Sequence, residues 1–284
     1  LGVTVPEEFG GTGLAFTDLC LMLEEQGRRI SPIPLYSSLV LGALPLIEFG
    51  TSEQKEKYLR PLASGKLKLS AAVAELGISD AVAGQVSATR TSDGWVLNGT
   101  LDCVPDAPTA QAILVPAYDG DQQTFFIVDT DLAGVSIEAQ RTSLGTNMGT
   151  LGLENVSISS AALLGDAARG DEILEWLELR AETAICALQL GVTEEALKRT
   201  AEFTCERKQF GVAIGSFQAV AMQAADAFID VEAIRCVYWL ALYKLSNGLD
   251  ARAEVRCAKW YAADAGHRIV YRTQHLHGGI GADV

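Results

Sequence analysis

The period of the apolar residues changes twice along this chain, and no other feature of the sequence constrains the fold as strongly. In residues 1–70 apolar side chains recur at helical spacing. In residues 71–168 the apolar residues alternate and turn residues multiply, which is typical of short strands in an antiparallel sandwich or barrel. The helical period returns in residues 169–284. The sequence therefore predicts an α+β protein whose segments follow in the order helical, β, helical.

The clearest helix start in the first segment lies at Thr51. This residue and Gln54, three positions further on, form a capping-box pattern, in which each side chain satisfies a free backbone N–H of the other residue. We expect a helix from this box through about Leu62, ended by Gly65.

Two long helices are expected in the last segment. An apolar stripe that includes Phe228 predicts one helix from Phe217 to about Ser246, and a second is expected from Ala251 to about His275. In the middle segment the alternation and the turns predict strands at 85–91, 95–98, 112–117, 124–129, 135–138 and 151–158.

The composition argues against several functional classes. Lys and Arg number 22 against 36 Asp and Glu, and the resulting formal charge of −14 repels nucleic acid and anionic lipid. The six cysteines form no CxxC pair, and only three histidines accompany them. The sequence therefore indicates neither a zinc site nor a disulfide framework, and we expect no metal.

No apolar run approaches the length of about 20 residues that a membrane-spanning helix needs. The chain opens at Leu1 rather than at a methionine and stops at Val284, directly after a glycine-rich turn, so we expect both ends to continue in the natural protein. Free cysteines and the lack of a visible signal peptide favour a cytoplasmic location.

Four motifs in order give the sequence a specific resemblance. They are Val-Pro-Glu-Glu-Phe-Gly-Gly at 5–11, Asp-Gly-Trp-Val-Leu-Asn-Gly at 93–99, Glu-Arg-Lys-Gln-Phe-Gly at 206–211 and His-Gly-Gly-Ile-Gly at 277–281. With these motifs the chain resembles the acyl-CoA dehydrogenase family over essentially its whole length. The resemblance implies an N-terminal helical domain at 1–70, a middle β domain at 71–168 and a C-terminal helix bundle at 169–284.

The resemblance also implies FAD as cofactor, with the isoalloxazine ring against the β domain of one subunit and the ADP half held by neighbouring subunits. An arginine fork suits a pyrophosphate, an aromatic ring offers a flat contact, and glycines let a backbone approach a phosphate. One departure is a histidine at position 275, where the family often has glutamine. Without the motif, the arginine and the phenylalanine would be interpreted as a surface and a core residue. The residues that match the family's ADP contacts are Arg207, Gln209, Phe210, His275, Gly278 and Gly279.

The flavin face departs from the family. Typical members have a Thr-Glu-Pro segment followed by Gly-Ser-Asp, where this chain reads Ala-Glu-Leu-Gly-Ile-Ser-Asp at 74–80. A second family segment, Trp/Phe-Ile/Val-Thr, is replaced by residues Cys103 to Asp106. The hydroxyls are lost, Pro105 lacks a backbone N–H, and each unpaired buried polar group costs about 1–3 kcal/mol. We therefore expect poor binding of the isoalloxazine half by this chain.

The catalytic base of the family is a glutamate that removes the α proton of the acyl-CoA thioester. In the branch that carries it on a helix, the matching residue here is Ala181, which cannot accept a proton. Glu182 stands next to it, where the family commonly has arginine, but one residue turns a side chain about 100° around a helix, which argues against Glu182 as the base. Glu178 is no better placed. In the other branch the glutamate lies beyond the glycine turn, past Val284, and that alternative stays open.

These features together resemble the partner-type subunits of α2β2 acyl-CoA dehydrogenases, known in bacteria that degrade sterol side chains, in which a sister subunit supplies the base and the isoalloxazine site. The leading hypothesis is that this chain is such a subunit, holding the ADP half of FAD and taking part in the oxidation of an acyl-CoA. That the acyl group is sterol-derived is implied by the resemblance to this subgroup alone. One alternative is a conventional homotetrameric acyl-CoA dehydrogenase with its glutamate beyond Val284. The other is a non-catalytic scaffold with the family fold.

Overall fold

The computed structural model of the chain describes residues 1–73, 86–143 and 145–282. Its contacts divide the chain into two compact units. The first unit contains Leu1–Ala15 and Pro34–Glu178, and the second contains Phe16–Ile33 and Leu179–Val284. The first unit holds the sheet, whereas the second unit is built from long helices.

The helices of the first unit follow one another closely. A π-helix at Tyr36–Ala43 continues into α2 (Leu44–Phe49), which is followed by α3 (Ser52–Ala63). The predicted capping box is confirmed at the start of α3. The Gln54 N–H donates to the Thr51 hydroxyl at 3.3 Å, and the Thr51 N–H donates to Gln54 Oε1 at 3.0 Å.

The sheet of the first unit has seven strands in the order β1-β4-β2-β3-β7-β6, and β5 pairs with β4. Most pairs are antiparallel, as the strand spacing predicts, but β1 and β2 run parallel to β4. The strands are β1 (Leu69–Ala71), β2 (Val86–Arg90), β3 (Gly94–Pro105), β4 (Ala112–Asp119), β5 (Gln122–Asp129), β6 (Val135–Gln140) and β7 (Met148–Ser159).

The core of the β domain is formed by the alternating inward residues of these strands. Trp95 on β3 packs edge-to-face on Phe126 of β5, with ring centroids 5.4 Å apart, and the Arg90 guanidinium covers the Trp95 ring at 4.7 Å. Leu97 and Val115 are fully buried in the same cluster. Burial of these large side chains supplies the main driving force for folding of the sheet.

Four long helices make up the second unit. They are α1 (Phe16–Arg29), α4 (Gly170–Glu206), α5 (Gln218–Ser246) and α6 (Arg252–His277), and α4 belongs to the first unit up to Glu178. Between α4 and α5 lies a short hairpin of β8 (Lys208–Gln209) and β9 (Val212–Ala213), and a 3₁₀ turn at Gly278–Ala282 follows α6. The two long helices predicted after residue 217 are confirmed within two residues at each end.

Helices α5 and α6 are joined by buried ion pairs. Asp230 on α5 is 7% exposed and accepts from Arg268 Nη2 at 2.7 Å and from Arg272 Nη1 at 2.6 Å. In addition, Glu194 of α4 pairs with Arg28 of α1 and Arg235 of α5. These ion pairs link the four helices of the second unit and stabilise their packing.

Exposed apolar side chains are concentrated in the second unit. Of the 19 large apolar residues that are exposed in the described part of the chain, all but Leu14 belong to this unit. Helix α5 buries Val231, Ile234 and Tyr238 but exposes Phe228, although the predicted stripe placed Phe228 with the buried residues. The helix therefore has a buried apolar face and a second apolar face that no described residue covers. No helix in the described part of the chain is long and apolar enough to cross a membrane.

Candidate functional site

The Glu-Arg-Lys-Gln-Phe-Gly motif forms the end of α4 and the tight hairpin after it. The Arg207 N–H donates to the Phe203 carbonyl at 2.9 Å, so Arg207 still continues the helical hydrogen-bond pattern. At the tip, Phe210 and Gly211 have φ values of 54° and 81°, which is the pattern of a two-residue type I′ turn. Such a conformation is unusual for a bulky residue. The Phe210 side chain is 94% exposed.

The His-Gly-Gly-Ile-Gly motif ends α6. Gly278 has a φ of 64°, which glycine adopts without strain and other residues avoid, and the chain then turns into the 3₁₀ segment. A side chain built on either Gly278 or Gly279 would meet no atom within 4 Å. The backbone of this turn is therefore open to a ligand.

The two motifs meet around one open cleft of about 350 Å³, which we call the motif cleft. Of the six residues that the sequence assigns to the ADP half, the structure places five on its walls, whereas Phe210 lies outside them at the hairpin tip. The lining residues are Phe203, Arg207, Gln209, Ile214, His275, Leu276, His277, Gly278, Gly279 and Ile280. That these residues bind FAD remains a prediction.

The motif cleft is suited to an anion. Its lining contains no acidic residue, although the chain as a whole carries a formal charge of −14. Within the described part of the chain the Arg207 guanidinium has no partner. An unpaired guanidinium next to open glycine backbone matches the donors that bind a diphosphate in proteins. The donor set of this cleft therefore fits the ADP half of the flavin that the motifs imply.

Two histidines at the end of α6 face the same cleft. Nδ1 of His275 lies 3.1 Å from Gln223 Oε1, and Nδ1 of His277 lies 2.7 Å from the Thr273 carbonyl oxygen. The His277 ring stacks on Phe203, with centroids 4.5 Å apart and an interplanar angle of 22°. Both rings are thus held in place by contacts with other residues of the second unit.

Sequence reasoning missed part of the cleft wall. It named His277 only as the first residue of the His-Gly-Gly-Ile-Gly motif and did not single out Phe203 or Ile214. Helical spacing could have found Phe203, because a residue four positions before Arg207 lies on the same face of α4. No local sequence signal brings Ile214 to the cleft. It arrives there because the hairpin returns the chain to α4, where the Ile214 N–H donates to the Arg207 carbonyl at 2.8 Å.

The described part of the predicted flavin face is the end of β3, since residues 74–80 lie outside the described residues. Cys103 is exposed with a φ of 55°, and its N–H donates to Gln140 Oε1 at 3.2 Å. The Asp106 carboxylate accepts from the Ser37 hydroxyl at 2.5 Å, and the Pro105 carbonyl accepts from the Ser70 hydroxyl at 2.5 Å. The polar groups of this strand end are therefore paired within the chain itself.

The acids considered as catalytic bases lie on α4. Ala181, at the position that matches the family's helix glutamate, is buried and has no acidic group. Glu182 is half-buried on the same helix near Cys186, and burial followed by the Glu182 charge raises the pKa of the Cys186 thiol to about 12. Cys186 therefore stays a protonated thiol at neutral pH and offers no alternative base.

A second cleft, of about 230 Å³, lies in the first unit between α3 and the sheet. Three of its polar side chains are paired with one another, because Lys57 Nζ and the Tyr58 hydroxyl donate to Asp129 at 2.7 and 2.8 Å. Burial raises the pKa of Tyr58 to about 12, so this hydroxyl does not ionise near neutral pH. In the described part of the chain no cluster of His, Cys, Asp or Glu could hold a metal ion.

Comparison with protein-family models gives three consecutive matches. Residues 1–66 match the N-terminal domain of acyl-CoA dehydrogenase, residues 70–156 match its middle domain, and residues 179–283 match its C-terminal domain. The motif cleft lies wholly within the last of these matches.

Similar proteins include components of two-chain complexes. Acyl-CoA dehydrogenase FadE27 of Mycobacterium tuberculosis is 33% identical over 292 residues, which span 100% of this chain and 76% of the relative. A variant of the Tcur3481-Tcur3483 steroid ACAD is 42% identical with a TM-score of 0.89, covering 99% of this chain and 75% of that one. The ChsE4-ChsE5 complex of Mycobacterium tuberculosis contains a chain that is 33% identical with a TM-score of 0.91, covering 99% and 75%.

Proposed function

Because the chain belongs to the acyl-CoA dehydrogenase family, whose cofactor is FAD, we propose that it is the partner-type subunit of a heterotetrameric (α2β2) acyl-CoA dehydrogenase. In this role the chain binds the ADP half of a flavin whose ring, together with the catalytic base, lies in a homologous sister subunit. The enzyme oxidises an acyl-CoA thioester between its α and β carbons, and FAD when bound supplies the hydride acceptor.

The observation that carries this proposal is the motif cleft. Its cationic and glycine-rich lining is free of acids in a strongly acidic chain, and the Arg207 guanidinium has no partner within the described residues. An unpaired arginine at an open cleft is favourable only where an anion or solvent satisfies its donors. Arg207 is therefore assigned to the pyrophosphate, with Gln209 as a polar contact and Gly278 and Gly279 as the backbone platform.

The end of β3 supports the division of labour between two subunits. The Cys103 N–H and the Asp106 carboxylate are both engaged by side chains of the same unit, Gln140 and Ser37. A proline at position 105 offers no N–H to a cofactor edge. Binding a flavin ring here would require exchanging existing hydrogen bonds for new ones, which lowers the net gain in free energy.

The surface of the second unit supports assembly with another chain. Helix α5 exposes Met222, Ile229, Leu240 and Tyr243 along one side, and α6 exposes Trp260. Exposed apolar patches of this extent are typical of protein contacts rather than of the free surface of a monomer. A cofactor site divided between subunits requires such a contact.

The proposed substrate is a steroid-derived acyl-CoA. This part of the proposal rests on the similarity to the Tcur3481-Tcur3483 steroid ACAD, with which the chain shares 42% of its aligned residues. The other features of the chain support an acyl-CoA dehydrogenase without selecting the acyl group.

The assignment of the cofactor cleft is tested by Arg207→Ala in the assembled protein. Loss of a charge-assisted hydrogen bond of about 1.5–3 kcal/mol should lower FAD affinity roughly 10- to 100-fold, measured as FAD released on dilution. Lys208→Ala is the matched control, because Lys208 is an adjacent exposed cation that does not line the cleft. Unchanged FAD retention in Arg207→Ala, or an equal loss in both variants, would contradict the assignment.

A further inference from the structure

His277 is placed in the motif cleft in a way that fixes its chemistry. Its Nδ1 lies 2.7 Å from the Thr273 carbonyl oxygen, and a carbonyl oxygen only accepts hydrogen bonds. Nδ1 therefore carries a proton and donates. The stacking on Phe203 holds the ring plane. Nε2 is the ring nitrogen that remains for a ligand in the cleft.

His275 has the same arrangement two residues earlier. Its Nδ1 donates to Gln223 Oε1 at 3.1 Å, and its ring lies nearly parallel to Tyr271, with centroids 6.1 Å apart. It lines the motif cleft and also an adjoining cleft between α5 and α6. In His275 too, Nε2 is the ring nitrogen that remains available to a ligand in the cleft.

We propose that Nε2 of His277 and Nε2 of His275 bind the phosphate oxygens of the ADP half, so that FAD is held more tightly when both rings are protonated. This inference rests on the proposed function, because it takes the motif cleft as the site of that half. A phosphate oxygen can only accept, so Nε2 must carry a proton. With Nδ1 already protonated, the ring that binds phosphate is the imidazolium cation.

Protonation of both rings changes the charge of the cleft substantially. Arg207 is the one cation of the lining that is charged at every pH, and two imidazolium rings raise the positive charge of the lining from one to three. Near the cleft, the charged or titratable groups on the surrounding elements are Glu202, Cys205 and Glu206 on α4, Lys208 on β8, Asp226 and Asp230 on α5, and His267, Arg268, Tyr271 and Arg272 on α6. Asp230 is occupied by Arg268 and Arg272. No carboxylate lines the cleft to take the place of a phosphate.

The test is the dissociation constant of FAD from the assembled flavoprotein at two pH values, followed by flavin fluorescence. We expect binding about tenfold tighter at about pH 6 than at about pH 8, because only the doubly protonated imidazolium ring can donate from Nε2 to a phosphate oxygen while Nδ1 donates within the protein. Added salt should reduce the difference, since it screens the extra charges. Equal affinity at both pH values would overturn the inference.

Four variants assign the effect. The double variant His275→Gln, His277→Gln should bind FAD equally at both pH values, whereas His267→Gln, which changes a histidine of α6 outside the motif cleft, should keep the difference of the natural protein. His277→Lys restores a permanent cation and should bind tightly at about pH 8. His275→Gln alone should reduce the ratio of the two FAD dissociation constants from about tenfold to about threefold. Because His275 is exposed, this variant leaves the core unchanged.

The outcomes separate this inference from the proposed function. If Arg207→Ala releases FAD but the double histidine variant keeps the full pH effect, only the histidine inference is wrong. If Arg207→Ala leaves FAD in place, the assignment of the motif cleft is itself wrong.

Discussion

The Ile214 N–H donates to the Arg207 carbonyl at 2.8 Å, and this single backbone contact closes the base of the hairpin that follows α4. It holds Arg207 at the wall of the motif cleft while the two residues at the tip, Phe210 and Gly211, project away from the helix. The position of the arginine therefore depends on the backbone of the hairpin and not on contacts of its own side chain.

The exposed phenylalanine at the hairpin tip is strained in the free chain. A non-glycine residue in the left-handed region costs roughly 1 kcal/mol or more, and asparagine tolerates it best. We expect Phe210→Asn to raise the free energy of unfolding by up to about 1 kcal/mol. FAD retention by the assembled protein should fall, because the family resemblance assigns the flat Phe210 ring to the ADP half although it lies outside the cleft of the single chain. Urea denaturation and FAD release measure the two effects. A Phe210→Asn variant that is less stable than the natural chain and retains FAD equally well would contradict both expectations.

Asp230 joins α5 to α6 through two arginines, and its loss should destabilise the second unit. Asp230→Asn removes the buried carboxylate and leaves the partly exposed Arg268 and Arg272 with the exposed Asp264 and Asp226 as partners. It should therefore cost about 2 kcal/mol in the free energy of unfolding, less than the loss of a fully buried pair. Asp264→Asn is the matched control, because Asp264 is exposed and has Arg268 as its one ion-pair partner among the described residues, and it should cost less than about 1 kcal/mol. Equal losses of stability in the two variants would show that the burial of Asp230 does not strengthen its ion pairs.

The same aspartate predicts a pH dependence. Hydrogen bonds from Arg268, opposed by burial and assisted by Arg272, lower the pKa of Asp230 below its ordinary value of 3.8. A lowered pKa in the folded state contributes stability above the unfolded pKa, and that stability is lost as the pH falls below about 3.8. The stability gap between the natural chain and Asp230→Asn should therefore narrow in acid. If this difference in stability stays constant down to the lowest pH at which the protein folds, the charge of Asp230 is not its source.

Glu24 predicts a pH dependence of stability with the opposite sign to that of Asp230. It is 7% exposed on α1, and burial together with the Glu194 charge raises the pKa of its carboxyl above 4.5, against the effects of Tyr238, Arg235 and Arg28. A raised pKa means that the charged form is disfavoured in the folded state, so stability is lost as the pH rises from 4.5 through the folded pKa. Glu24→Gln removes this loss. The stability of the variant relative to the natural chain should rise with pH over this window, and a constant difference across it would contradict the argument.

The capping box at the start of α3 allows a test of local structure. Thr51→Ala removes the acceptor of the Gln54 N–H and should cost about 1 kcal/mol in the free energy of unfolding, whereas Thr51→Ser keeps the hydroxyl and should cost little. Gln54→Ala should cost more than either, because the Gln54 amide also donates to the Ala161 and Leu163 carbonyls at 2.9 and 2.8 Å. If Gln54→Ala costs no more than Thr51→Ala, these two long-range bonds contribute nothing.

Local patterns predicted the parts of this fold that depend on nearby residues. The box at Thr51 and Gln54 is an interaction over three residues, and α5 ends at Ser246, as the apolar period and the following glycine indicate. The π-helix at Tyr36–Ala43 and the parallel pairing of β1 with β4 could not be predicted in this way. Both depend on contacts between residues that are distant in the sequence.

The site follows the same rule. Arg207 and Gly278 were identified from their motifs. The motifs alone do not show that these two residues, about 70 positions apart in the sequence, line the same cleft. No contact of its own was predicted for His277, which entered only as the first residue of the glycine motif. Its role as a wall depends on the stacking with Phe203 and on the bond to the Thr273 carbonyl, which only the packed helices provide.

The most direct test of the central claim is the FAD content per chain, measured on this chain expressed alone and together with a homologous candidate sister subunit. We predict little FAD on the chain alone and about one FAD for every two chains in the mixed complex, as a cofactor divided between unlike subunits requires. One FAD per chain in the protein expressed alone, with oxidation of an acyl-CoA and no need for a second subunit, would contradict the account and indicate a conventional homo-oligomeric dehydrogenase.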